Sequence, residues 1–279
     1  MIGSYMTRRV YNHRRDDIDV RDYRIQFHET LLRVPPLIDL RKDFSPISDQ
    51  GQLGSCTAHA VCAVFEYMIK TRYGNNFYFN TSRLAEYYWT RICDNPSNAS
   101  RDTGGTIRCA VKVMNQIGVC TERCWPYMIQ RFTMRPPNNC WTEASKNRVV
   151  QYARVSQTLE QIRYALIRKC PVIIGFLVYE SFELDVVSRT GYVPMPNRKT
   201  ERVLGGHAVA IVGMTDKYFI FRNSWGNNWG EGGYGYFPHE LVLDPNITMD
   251  MWVITDITTN SKKSAYPIYK FATVHKIDS

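Results

Sequence analysis

Apolar positions follow two different periods along the chain. Between residues 35 and 147 they recur every three or four residues, predicting helices over Cys56–Thr71, Ser82–Cys93 (SRLAEYYWTRIC) and Gly105–Ile117 (GTIRCAVKVMNQI), with Ser55 as the cap of the first. After residue 147 one more helix is predicted over 158–169 (TLEQIRYALIRK), where Thr158 and Gln161 stand at capping-box spacing. The runs PVIIGFLVY, HAVAIVGM, KYFIFRN, GYGYF and MWVITDI then predict strands. A helical half followed by a β-rich half is an α+β arrangement with a cleft between the two. Residues 1–33 carry charge without period (RRVYNHRRDDIDVRDYR) and predict an exposed arm rather than a core element, ended by Pro35-Pro36.

Composition changes this picture little. With 279 residues, 44% hydrophobic, the chain is long enough to bury a full core. The net charge of +9 would suit an acidic partner, but the basic residues are spread along the whole chain and no nucleic-acid motif accompanies them, so no nucleic-acid partner is expected. No run approaches the ~20 apolar residues of a membrane span, and residues 1–17 lack the apolar core of a secretory signal. The expectation is a monomer without membrane contact, cytosolic or virion-associated rather than secreted or lysosomal. The eight cysteines are too scattered for a disulfide scaffold, and the close pair Cys120 and Cys124 has no second pair at zinc spacing. No metal and no cofactor are expected.

One cysteine differs from the rest. In DQGQLGSCTAHA, residues 49–60, Cys56 stands at the start of a predicted helix, where a helix N-terminus lowers a thiol's pKa. A thiolate nucleophile needs a base, and of six histidines only His207 has a suitable setting, opening the strand GGHAVAIVGM after two glycines. His13, His28 and His275 lie in charged segments and His239 in a turn. His59 lies one helical turn beyond Cys56, where a packing role is favoured. A hairpin through Thr215-Asp216 would bring His207 to Asn223, whose amide can fix the imidazole tautomer while Trp225 shields the bond from water.

The blocks QGQLGSC, GGHAVAIVG and NSWGNNWGEGGYG, in this order, resemble the signatures of the papain (C1) family of cysteine peptidases. PPLIDLRKD, DTGGTIRCAVKVMNQIGV and CWPY add to a resemblance that covers residues 35–257. It is nearest in style to cathepsin-B-like enzymes of bacteria and large DNA viruses. The resemblance implies a two-lobed fold: a helical lobe over 35–147 with Gln50 and Cys56, and an antiparallel β-barrel lobe over 148–257 with His207 and Asn223. An arm over 1–34 and a tail over 258–279 flank them. It implies Cys56 as nucleophile, His207 as general base, Asn223 as its orienting group, and Gln50 with the Cys56 N–H as oxyanion hole. Gly104 and Gly105 would pair with the backbone of a polypeptide substrate, and Thr106, Ile107, Gly175 and Ala208 would line the second pocket, with Asp250 at its floor favouring arginine or lysine. The expected activity is endopeptidase cleavage, since no insertion of the cathepsin B kind is seen between Tyr127 and Asn147. A catalytically silent papain-fold binding protein and a thiol acyltransferase or ligase are the alternatives.

The chain departs from the family at Leu53 and Asp102, where a pair of bonded cysteines is usual, and at Thr57, usually aromatic. The resemblance leaves a Cys93–Cys140 bridge open, although free thiols are favoured. The segment before Pro35 is short for a helical propeptide, so it is either a disordered tail or a segment that packs across the cleft and restrains the enzyme.

Overall fold

The computed structural model describes residues 9–28, 35–260, 262–263 (backbone only) and 272–276. The helical half is built on α1 (Cys56–Tyr73), which is buried along 14 consecutive residues and therefore packed on all sides. Against it lie α2 (Arg83–Asp94) and α3 (Ile107–Gln116), each started by a side-chain cap: Ser82 Oγ accepts the Ala85 N–H and Thr106 Oγ1 the Cys109 N–H. The short α4 (Asn138–Ala144) closes this half and is joined by a Cys124–Cys140 disulfide to the preceding loop. The Cys93–Cys140 pairing left open by the sequence is therefore not formed, because Cys124 takes Cys140 and Cys93 lies beside Cys109.

The second half contains β3 (Arg148–Val155), α5 (Leu159–Ile167), β4 (Val172–Tyr179), α6 (Asp185–Thr190), β5 (Val203–Met214), β6 (Tyr218–Arg222), β7 (Tyr234–Pro238), α7 (His239–Leu243) and β8 (Thr248–Thr259). Two flanking strands, β1 (Tyr23–Phe27) and β10 (Ala272–Lys276), extend the same sheet, while the two-residue β2 (Ile38–Asp39) and β9 (Lys262–Lys263) pair with β5 and β8. The order β10-β1-β3-β8-β4-β5-β6-β7 leaves β7 and β10 at opposite edges. The lobe is thus an open sheet and not the barrel the resemblance implied, and it is mixed because β1 runs parallel to β3. The β5–β6 hairpin forms as expected, with Met214 opposite Phe219 and Ala210 opposite Arg222.

The exposed arm is overturned. Ile25 and Phe27 are 1% and 2% exposed on β1, and His13, Asp16 and Asp22 are buried as well. The apolar residues of β1 alternate with polar ones that point to solvent (Tyr23 to Phe27, exposed-exposed-buried-exposed-buried), a strand signal too short to stand out among the surrounding charges. Gln161 does not complete a capping box at Thr158. Its amide instead bonds both backbone groups of Phe27, fastening β1 to α5. Residues 272–276 of the predicted tail are likewise a strand, paired with β1 along its length.

Candidate active site

Cys56 is the first residue of α1, and the loop before it is held by side chains rather than by a bridge. Both carboxylate oxygens of Asp102 accept the Gly54 N–H at 3.1 Å, and the same group bonds the Tyr87 hydroxyl, which also accepts the Gly104 N–H at 3.0 Å. Asp102 thus makes, by hydrogen bonds, the link between nucleophile loop and glycine wall that a disulfide would make at these positions. Ser55 does not cap α1 with its side chain, because its Oγ bonds the Tyr127 hydroxyl at 2.6 Å. The first-turn N–H groups are left to face the thiol, a setting that favours its anion.

Gln50 is buried beside this turn. Its Oε1 accepts from Ser224 Oγ at 2.6 Å, its backbone N–H donates to the Ser224 carbonyl at 2.9 Å, and its Nε2 donates to the Leu53 carbonyl at 2.9 Å. Ser224 follows Asn223 in sequence, so the two halves are joined where the polar residues meet. On β5, His207 Nε2 bonds Asn223 Oδ1 at 2.9 Å, and Trp225 stacks on the imidazole with ring centroids 4.9 Å apart. The opposite ring nitrogen, Nδ1, is buried with no partner, and the Cys56 thiol lies against the N–H of Ala208, the next residue on β5. Gln50, Cys56, His207, Asn223 and Trp225 therefore come together from four segments.

The arm lies over them. Tyr11 makes edge contacts with both His207 and Trp225, and the Arg9 guanidinium sits 4.7 Å from the Trp225 ring centre. The His13 N–H donates to the Gly206 carbonyl at 2.9 Å and the Arg14 N–H to that of Gly105 at 3.2 Å, both pairings being parallel. Asn12 bonds the Asp102 carbonyl, at the point where Gly104 (φ +67°) leaves no room for a side chain: a Cβ there would lie 1.6 Å from the Asn12 oxygen. The His13 imidazole fills the space over Gly175, where a Cβ would stand 1.9 Å from its Nε2, and lies 3.5 Å from Asp250. Arg14 reaches Asp94 at 2.5 Å.

This cover has an electrostatic effect. Burial pushes the Cys56 thiol up to about 11 and the His207 imidazole down to about 4, the Asn223 bond opposing the latter only in part. Both shifts favour the uncharged thiol and imidazole over the ion pair, and Arg9 and His13 of the arm add to the lowering at His207.

Of the other residues read from the sequence, Gly104, Gly105, Gly175 and Asp250 line the channel the arm follows. Ile107 is fully buried beneath it, Ala208 is buried behind the thiol, and Thr106 gives its N–H and hydroxyl to Asp94. Asp250 has φ +55° and accepts the Asp16 N–H at 2.8 Å, with Arg154 3.6 Å away. Sequence reasoning did not single out Tyr11, Asp16, Arg154, Ser224 or Tyr127. For Asp102 a signal existed, since a carboxylate stood where a bonded cysteine was missing.

Residues 34–251 match the family described as Papain family cysteine protease. The chain belongs to the papain family of cysteine proteases. It is a cysteine peptidase, and its family acts on polypeptides. It is 39% identical over 220 residues, 75% of this chain and 70% of the relative, to the uncharacterized peptidase C1-like protein L477 of Acanthamoeba polyphaga mimivirus. It is 29% identical over 221 residues to Peptidase 1 of Dermatophagoides farinae, covering 74% of this chain and 61% of the mite protein. Among solved structures it is similar to xylellain, a cysteine protease from Xylella fastidiosa. The TM-score is 0.79 at 31% identity, over 89% of this chain and 96% of that one. This papain-family chain keeps the family's α+β fold with its sheet open.

Proposed function

We propose that the chain is a thiol endopeptidase kept in check by its own residues 9–22. In this reading the His207 imidazole takes the Cys56 proton through Nδ1, the thiolate attacks the substrate carbonyl carbon, and the oxyanion is held by the Cys56 N–H and a Gln50 amide hydrogen. His207 then protonates the leaving amine, and water releases the acyl group from Cys56. Loss of one oxyanion donor costs on the order of 100-fold or more in rate.

The observation that carries the reading is the pairing of His13 and Arg14 with Gly206 and Gly105, which uses the backbone groups an extended substrate would use. Because the leaving amine must lie near His207, a substrate runs N- to C-terminal from Gly105 and Gly175 toward Trp225. The arm runs the other way, with Tyr11 at Trp225, Asn12 at Gly104 and His13 at Gly175. Reversed polarity lets it fill the cleft without offering its own peptide bonds in the reactive sense. His13 also occupies the second pocket beside Asp250, which supports a preference for basic side chains there.

The test is reaction of the whole protein with an epoxysuccinyl inhibitor. A single adduct on Cys56 that abolishes dipeptidyl-amide hydrolysis is the expected result. Hydrolysis that persists with Cys56 fully modified would overturn the assignment.

A further inference from the structure

We propose that Cys93 and Cys109, which the peptidase reaction does not use, form a thiol–disulfide site that a glutathione-disulfide-class oxidant closes into a cross-link between α2 and α3.

Their sulfurs are 2.9 Å apart, about 0.9 Å more than a bonded pair. The site is selective by access. Among the described free cysteines, Cys56, Cys62, Cys120 and Cys170 are buried, whereas Cys93 is exposed and Cys109 half-buried. The two thiols are also unequal. The hydrogen bond between the two sulfurs, with Lys112 nearby, draws the Cys93 thiol down; that same bond and burial push Cys109 up. Such asymmetry makes one sulfur the attacking group and the other the resolving one.

The step balances as follows. The Cys93 thiolate attacks one sulfur of glutathione disulfide, whose S–S bond breaks and releases one glutathione thiolate. Cys109 gives its proton to water, and its sulfur displaces the second glutathione from Cys93. The protein loses two protons and two electrons, and the oxidant is reduced to two glutathiones.

The position gives the link a consequence. Cys93 precedes Asp94, whose carboxylate accepts the Thr106 N–H at 3.1 Å and hydroxyl at 2.7 Å, and Thr106 Oγ1 caps the Cys109 N–H. A Cys93–Cys109 bond would span the same gap as these contacts and brace, from behind, the wall at Gly104 and Gly105 along which the arm lies. Closing a loop of about 15 residues predicts a Tm rise of roughly 5–10 °C over the reduced form.

The experiment treats the full chain with glutathione disulfide, blocks remaining thiols with N-ethylmaleimide, digests with trypsin and identifies linked peptides by mass spectrometry. Peptides 92–101 and 109–112 should be recovered joined, and Cys109→Ser should instead retain glutathione on Cys93. Recovery of both peptides separately labelled, or of glutathione resting on Cys93 in the unsubstituted protein, overturns the proposal. So does a cross-linked form that melts no higher than the reduced one. None of these readouts depends on peptidase activity, so the inference and the proposed function fail independently.

Discussion

Asp16→Ala should release the arm. The carboxylate is fully buried and receives the Trp252 indole N–H at 2.8 Å, Arg154 at 2.9 Å and the Arg108 N–H at 3.1 Å. Breaking a buried ion pair by deleting one partner costs about 3–5 kcal/mol when the other charge is stranded. Here Arg154 keeps Asp22 at 2.8 Å and Asp250 at 3.6 Å, and removal of Asp16 also relieves its repulsion with Asp250, so the cost falls to about 2 kcal/mol. The loss is borne by the docked state alone, which converts to a roughly 30-fold larger open population at 1.4 kcal/mol per tenfold. Initial rates on a dipeptidyl aminomethylcoumarin substrate should rise by up to that factor, and Cys56 should be alkylated correspondingly faster. A thermal melt separates release from unfolding. Arg14→Glu, which sets a like charge beside Asp94 at a half-exposed position, should move the rates the same way with less effect on Tm. A folded Asp16→Ala protein whose hydrolysis and alkylation rates equal those of the parent would refute the restraint.

Three further outcomes are expected. Asp102→Ala strands the Gly54 N–H and the Tyr87 hydroxyl, at about 1–3 kcal/mol; kcat/KM should fall at least about tenfold, with partial recovery in Asp102→Asn, and an unchanged kcat/KM would show that the loop needs no such tie. Asp250→Ala should reduce the ratio of Arg-Arg over Phe-Arg substrate hydrolysis by about 10- to 100-fold, the worth of a charge-assisted bond, in a protein whose arm has been released; a constant ratio would mean that this carboxylate does not read the second side chain. Burial lowers His207 to about 4, and His13 and Arg9 of the docked arm further disfavour its charged form, so docking disfavours its proton and the docked state loses stability as pH falls toward 4. Burial and Asp250 raise the Asp16 carboxyl, so docking takes up a proton there and low pH favours it. Hydrogen-exchange protection of the His13 and Arg14 amides should therefore fall more steeply on acidification in Asp16→Asn than in the parent, and equal slopes would contradict this balance.

The parts legible in the sequence are those whose signals are local. Gly-Ser before Cys56, two glycines before His207 and the Asn-Ser-Trp run at 223–225 each fix a backbone shape and a side chain together, and the hairpin between them follows from its turn. The arm was not legible, because a charged segment without period looks the same whether its charges meet water or a matching pair of arginines, Arg108 buried and Arg154 half-buried. The same limit hid β10, whose strand partner among the described residues is β1 of the arm. It also hid the true partner of Cys140, since spacing alone does not rank cysteine pairings. The open edge of the sheet follows from this. β1 and β10 carry the sheet on beyond β3, in a part of the chain where no strand was read.

In the proposed restraint, the arm's charges account for its being both buried and removable. Arg108 and Arg154 stand at the boundary of the two halves, and among the described residues their carboxylate partners are Asp16 and Asp22 from the arm, together with Asp250 from the pocket. An apolar arm would leave Arg108 without a carboxylate partner among the described residues and Arg154 with Asp250 alone, and a basic one would repel them. The stretch 16–22, with four aspartates against one arginine, fits, although residues 9–22 as a whole balance four aspartates with four arginines and the chain carries +9. The fit is not ideal: Asp16 and Asp250 crowd each other across Arg154, and the pocket is filled by His13, which approaches Asp250 only to 3.5 Å. A substrate with a longer cation could reach Asp250 more fully than His13 does. The arm would then give way in the pocket first, while β1, fixed by Ile25, Phe27 and Gln161, keeps it attached to the sheet.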